Sequence, residues 1–219
     1  MNISDNIKNY KLELPEDVKL VAISKTKPNE DILEAYHAGQ RIFGENKIQE
    51  MTDKQEALPK DIEWHMVGHV QTNKVKYMAP YVNLVHAVDS LKLLKEIDKR
   101  AKQNDRVINC LLQIKIAEED SKFGISSAEA KEILKSETLG KMKNTKIIGL
   151  MGMATFTEDE AQIAREFKGL KHIFDNLQAI CPELKELSMG MSGDYKIAIA
   201  NGSSMVRIGS NIFGERNYN

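Results

Sequence analysis

The chain alternates between short apolar runs and longer amphipathic stretches. The apolar runs are VKLVAIS (18–24), RIFGE (41–45), IEWHMVG (62–68), LVHAV (84–88), INCLLQIKI (108–116), KIIGLMGM (146–153), ELSMG (186–190) and MVRIGSNIFG (205–214), eight in all. Several are rich in Val, Ile and Leu on successive residues, as strands buried on both faces are. Between them the period is helical. NEDILEAYHAG sets Ile32, Leu33, Ala35 and Tyr36 along one stripe and closes on Gly39, a helix stop signal. DSLKLLKEIDKRAKQ begins at Asp89 or Ser90 as N-cap and repeats Leu91, Leu94 and Ile97. In SSAEAKEIL, Ser126 is followed by Glu129, a capping-box pattern. The longest stretch, TEDEAQIAREFKGLKHIFDNLQAI, carries Asp and Glu in its first turn, where the helix dipole favours them.

A strand and then a helix, about eight times over, predicts a parallel sheet covered by helices. Eight units favour a closed (β/α)8 TIM barrel; an open doubly wound sheet is the alternative, because one miscounted strand removes the argument. The reading is a single domain over residues 1–219, with a short N-terminal helix over 1–12 and the barrel over about 18–216. In such a barrel the site lies at the C-terminal ends of the strands, and phosphate often binds after strands 7 and 8.

Lys25 shares strand parity with Val21 and Ile23. A lysine on a buried strand face loses solvation and keeps a neutral amine within reach, as Schiff-base chemistry requires. The bland alternative is a lysine projecting from the barrel mouth into water. Lys27 has the same parity but sits nearer the exit to the helix, a weaker candidate. Small and hydroxylic residues cluster around runs 7 and 8: Ser188 to Asp194, then Gly202-Ser203-Ser204, then Gly209-Ser210. Such residues let backbone N–H groups approach an anion, and they also make ordinary turns. Arg207 lies inside an apolar strand, so it either pairs with a carboxylate such as Glu215 or faces a ligand. His65, His69 and His86 have no HExxH context and read as core or rim histidines; no metal site is expected. Asn46 falls where a barrel site takes a hydrogen-bond donor, or caps the next helix. Glu118, Glu119 and Asp120 read as a solvated acidic loop.

Composition narrows this further. With 31 Lys and Arg against 32 Asp and Glu, the net charge is −1, which gives no support to a nucleic-acid binder. No run approaches the roughly 20 apolar residues of a membrane span, and the N-terminus has no secretory h-region. Two isolated cysteines, Cys110 and Cys181, fit a reducing cytoplasm. Neither a Walker motif nor GxGxxG is present.

Taken together, VAISKTKP, RIFGENKIQE, WHMVGHVQTNK, HAVDS, IAEEDSKFGI, GLMGMAT, LSMGMSGDY and GSSMVRIGSNIFGER resemble the motifs of the pyridoxal phosphate homeostasis (YggS/PROSC) family, in order, over about residues 18–216. The resemblance implies a barrel like the N-terminal domain of alanine racemase that binds pyridoxal 5′-phosphate (PLP). It makes Lys25 the Schiff-base lysine and sets Arg207 against the pyridine nitrogen. It assigns Ser203, Ser204, Gly209 and Ser210 to the phosphate, joined by Met191 and Ser192, and puts Asn46 near the cofactor. The chain departs from the family in a shorter N-terminal segment, which questions how the barrel bottom is sealed, and in reading GSS where relatives commonly have GST.

An arginine cannot accept the pyridine proton, so the ring is left a weak electron sink. Racemisation would also need a second acid/base, which a tyrosine of an additional β domain supplies in alanine racemases. The chain ends five residues after Gly214, and the late tyrosines Tyr195 and Tyr218 have no argument for that place. The expected function is a cytoplasmic PLP carrier or reservoir, a monomer or weak dimer, handing cofactor to PLP-dependent apo-enzymes. No catalytic residue is expected, and Lys122 is a candidate second amine for release. The alternatives are a PLP-dependent amino-acid racemase and a barrel enzyme acting on a phosphorylated sugar without PLP.

Overall fold

The structure, a computed structural model, describes residues 2–118 and 123–214. Eight strands occupy the apolar runs: β1 (Lys19–Ile23), β2 (Ile42–Glu45), β3 (Glu63–Met66), β4 (Leu84–Val88), β5 (Ile108–Gln113), β6 (Thr145–Met151), β7 (Glu186–Met191) and β8 (Met205–Ile208). All neighbours are parallel and the sheet closes, with β8 pairing back onto β1 from Lys19↔Met205 to Ala22↔Ile208. The open-sheet alternative is thereby excluded. The helices are α1 (Ile3–Glu13), α2 (Asn29–His37), α3 (Ile48–Ala57), α4 (Val75–Met78), α5 (Leu91–Gln103), α6 (Ser127–Lys135), α7 (Glu137–Gly140), α8 (Glu160–Gln178), α9 (Tyr195–Ala200) and α10 (Ser210–Phe213). Caps act as the residue types predict: Ser90 accepts from Leu93 N–H, and Ser126 and Glu129 form a reciprocal capping box.

Strand alternation sorts the core into two layers. Val21, Leu84, Leu111, Met151 and Met205 pack inside the barrel, with Ile23 against them. Leu20, Ala22, Phe43, Trp64, Cys110 and Val206 face outward onto the helices. The last apolar run is not one strand. It breaks at Gly209, and Ser210–Phe213 turns into α10, a helix of 4 residues. So short an element leaves the outer wall open between β8 and α2, and α1 fills it. Asn6 donates to the Ile212 carbonyl, Asn211 donates to the Tyr10 hydroxyl, and Ile3, Ile7 and Tyr10 are buried. The N-terminal helix therefore stands on the side wall, against α10. Among the described residues no helix is long and apolar enough to cross a membrane.

Candidate functional site

A cavity of about 360 Å³ opens at the C-terminal ends of the strands, a size suited to a small cofactor. β1 and its exit contribute Ile23, Lys25 and Lys27; the β6 loop contributes Ala154, Thr155 and Phe156; β7 and β8 contribute Met191, Ser192, Asp194, Arg207, Gly209 and Ser210.

Lys25 is half-buried, two residues beyond Ile23 on the inward face. The next residue, Thr26, has φ +63°. A β-branched residue in the left-handed region carries strain, about 1–3 kcal/mol, that its surroundings must hold. Lys27 Nζ donates to the Phe213 carbonyl at 2.9 Å, tying the second lysine to α10.

Arg207 reaches across the interior from β8. Its guanidinium donates to Ser188 Oγ at 2.6 Å and to the Gly152 carbonyl at 3.0 Å. Burial lowers its pKa to about 10, so it remains charged at neutral pH. Among the described residues no ion pair to it is found; Glu215 lies outside them. The chain of contacts continues inward: Ser188 Oγ lies 3.1 Å from His86 Nδ1, and His86 Nε2 lies 3.1 Å from His65 Nδ1. Burial holds His65 down to about 3 and His86 well below its ordinary value, so both imidazoles are neutral. Arg207 can only donate. With Ser188 accepting from it and passing its own proton to His86 Nδ1, His86 donates to His65 and each contact in the chain is satisfied.

At the other end of the cavity, β7 and β8 loops interlock. Asp194 accepts from Met191 N–H at 2.5 Å, Gly209 N–H donates to Ser192 Oγ at 3.3 Å, and Asn211 donates to the Ser192 carbonyl.

Lys25, Met191, Ser192, Arg207, Gly209 and Ser210 are thus brought to one cavity. Asn46 lies at the same end, its backbone packed against Gly68 just beyond β3, but is not in the lining. Ser203 and Ser204 do not belong to the site. They precede β8 and so lie at the strands' N-terminal ends: Ser203 Oγ donates to the Met189 carbonyl, and Ser204 Oγ bonds Glu186 and accepts from Leu187 N–H. Their hydroxyls close the turn into β8. His69 is half-exposed, near Asp89 and stacked on Phe123. Lys122, Glu119 and Asp120 fall outside the described residues. Sequence reasoning missed Thr155 and Phe156, although they follow the sixth apolar run, where the end-of-strand rule points. It also missed the partners of Arg207, for which no local signal exists.

The chain matches the alanine racemase N-terminal domain family over residues 1–217. The pyridoxal phosphate homeostasis protein of Aquifex aeolicus is 41% identical over 202 residues, 91% of this chain and 88% of that protein. The Escherichia coli K12 protein of the same name is 38% identical over 211 residues, 93% of this chain and 88% of its own. PipY of Synechococcus elongatus, solved with PLP bound, superposes with a TM-score of 0.88 at 34% identity, covering 97% of this chain and all of that one. Alanine racemase of Clostridium difficile shares the fold, with a TM-score of 0.81 at 16% identity, matching 61% of its own chain. Fold and site thus define a single barrel of the alanine racemase N-terminal type. Within that class, the chain belongs to the pyridoxal phosphate homeostasis protein family.

Proposed function

We propose that this protein binds PLP in the described cavity and holds it on Lys25 as an intracellular carrier or reservoir. The observation that carries the reading is the convergence of a strand-end lysine, a buried arginine and a Gly/Ser-lined end on one cavity. The residues fit the group: an amine for an aldehyde, N–H and hydroxyl groups for a phosphate, a donor-only cation for a ring nitrogen. When bound, the cofactor supplies an aldehyde carbon that condenses with a primary amine, the carbonyl oxygen leaving as water.

Lys25 would be the amine that holds the group, in its deprotonated form. Ser192, Gly209 and Ser210 bind and orient the phosphate. Arg207, fixed by Ser188 and the Gly152 carbonyl, presents only N–H donors and remains protonated. A ring nitrogen facing it stays unprotonated, which weakens withdrawal of electrons from a substrate Cα. Among the described residues no tyrosine lines the cavity. Tyr195 donates to Glu13 at 2.8 Å and is buried, its pKa raised chiefly by that burial. This favours holding the cofactor over racemising an amino acid. PLP-dependent apo-enzymes are the proposed recipients, the cytoplasm the proposed compartment, and a monomer or weak dimer the proposed state.

The test is reduction of the PLP-loaded protein with borohydride and peptide mapping by mass spectrometry. A phosphopyridoxyl adduct on Lys25 is expected. No adduct, or one on Lys27 instead, refutes the assignment; rapid deuterium exchange at Cα of a free amino acid restores the racemase reading.

A further inference from the structure

We propose that Lys54, with Glu45 and Glu50, is a positioning group for Lys25: a buried charge cluster behind the β1–α2 turn that locks the turn and aims the amine into the cavity. This rests on the reading of Lys25 as the cofactor amine.

The cluster stands on the outer face of the barrel, between β2 and α3. Lys54 is buried and all three of its protons have acceptors: the Ser24 carbonyl at 2.8 Å, Glu45 Oε1 at 2.7 Å and Glu50 Oε1 at 2.7 Å. Ser24 Oγ donates to the same Glu45 oxygen at 2.6 Å. Thr26 N–H donates to Glu50 Oε1 at 2.5 Å. The two residues flanking Lys25 are therefore both gripped, one through its carbonyl and hydroxyl, the other through its amide.

This arrangement is poorly explained by stability alone. Three ionisable groups are taken largely out of water for one cation, and the second oxygen of Glu45 is buried without a partner among the described residues. Well-packed apolar side chains in such a place are commonly as stable or more so. What apolar residues could not do is bond the backbone on either side of Lys25. That backbone needs holding, because Thr26 occupies the left-handed region where a β-branched residue relaxes if released. The turn reverses the chain immediately after Lys25 while its side chain stays on the inward face with Val21 and Ile23. Release at Thr26 would let the amine swing toward the rim.

The test compares the full-length protein with Lys54→Met, Lys54→Arg, Glu50→Gln and Thr26→Gly. Three quantities are read: amide hydrogen exchange at Thr26 without cofactor, affinity for pyridoxine 5′-phosphate, which has no aldehyde, and the rate of borohydride-trappable capture of PLP on Lys25. For Lys54→Met we expect Thr26 exchange to quicken about tenfold or more. Capture should slow by about tenfold or more while pyridoxine phosphate binds as before. Lys54→Arg recovers part of the capture rate. Capture unchanged, or capture and pyridoxine phosphate affinity falling together, overturns the proposal. Should Lys54→Met not fold, Glu50→Gln and Thr26→Gly decide. Both keep the Lys54–Glu45 pair; Glu50→Gln must slow capture without weakening pyridoxine phosphate, whereas Thr26→Gly, which keeps the amide and relieves the left-handed strain, must not slow it, and either result reversed overturns the proposal. A wild type that traps no PLP on Lys25 refutes the carrier reading instead, and the exchange comparison then still shows whether the cluster holds the turn.

Discussion

Acidification probes the barrel interior directly. His65 and His86 are buried against each other at 3.1 Å, and burial holds both neutral, His65 down to about 3 from an ordinary 6.5. The unfolded chain takes up protons on these rings as pH drops through 6.5, whereas the folded chain refuses them. Stability is therefore level above pH 6.5, falls below it, and for His65 stops falling only near pH 3. Between pH 7.5 and 5.0 each ring contributes a loss of about 2 kcal/mol, and the pair about 4 kcal/mol. That is a large part of the roughly 5–15 kcal/mol that holds a domain together. Glu45 works in the opposite direction, since burial raises its pKa and acid relieves it. Glu166, whose pKa is lowered by its bonds to Thr155, yields only below the ordinary carboxylate range. The assay is urea unfolding at pH 7.5, 6.0 and 5.0 on the wild type and on a His65→Gln/His86→Gln double variant. The double variant starts weaker but has a flatter pH dependence. A wild-type loss under about 1 kcal/mol, or an equal loss in the double variant, refutes the reasoning.

Ser188→Ala strands one N–H of Arg207 and Nδ1 of His86, with an expected loss of about 1–3 kcal/mol in urea midpoint experiments; no change would mean water replaces the hydroxyl. Arg207→Glu should protonate the facing ring nitrogen and shift the bound cofactor's absorption, and an unshifted spectrum with cofactor retained counts against that orientation. Two glycines should behave oppositely. A Cβ at Gly149 would lie 1.8 Å from the Glu186 carbonyl oxygen, so Gly149→Ala should lower stability by about 3 kcal/mol or more. At Gly169 in the middle of α8 nothing lies within 4 Å, and Gly169→Ala should raise it by about 0.8–1 kcal/mol, both read by thermal melts.

What could be read from the sequence divides by range. Strand parity is local, so an inward direction for Lys25 was expected from Val21 and Ile23; those two pack inside the barrel, and Lys25 lines the cavity at the strand's end. Eight apolar runs implied eight strands, but only the β8–β1 register closes the barrel, and no single run contains that information. Ser203 and Ser204 failed for a related reason. Composition around a strand does not distinguish its two ends, whereas the barrel does: residues before β8 close the bottom turn, and residues after it, Gly209 and Ser210, reach the cavity. Arg207 was left between an ion pair and a ligand because its partners, Ser188 on the neighbouring β7 and Gly152 just beyond β6, lie 19 and 55 positions away and come within reach only in the folded sheet. The same holds for Lys54, whose bonds reach the Ser24 carbonyl 30 positions earlier and nothing in its own helix but Glu50. A lysine at that place reads from sequence as a solvated helix residue. Buried polar groups that must be satisfied across elements are therefore where sequence reading stops, and in this chain they are the groups that hold Lys25 and Arg207 in place.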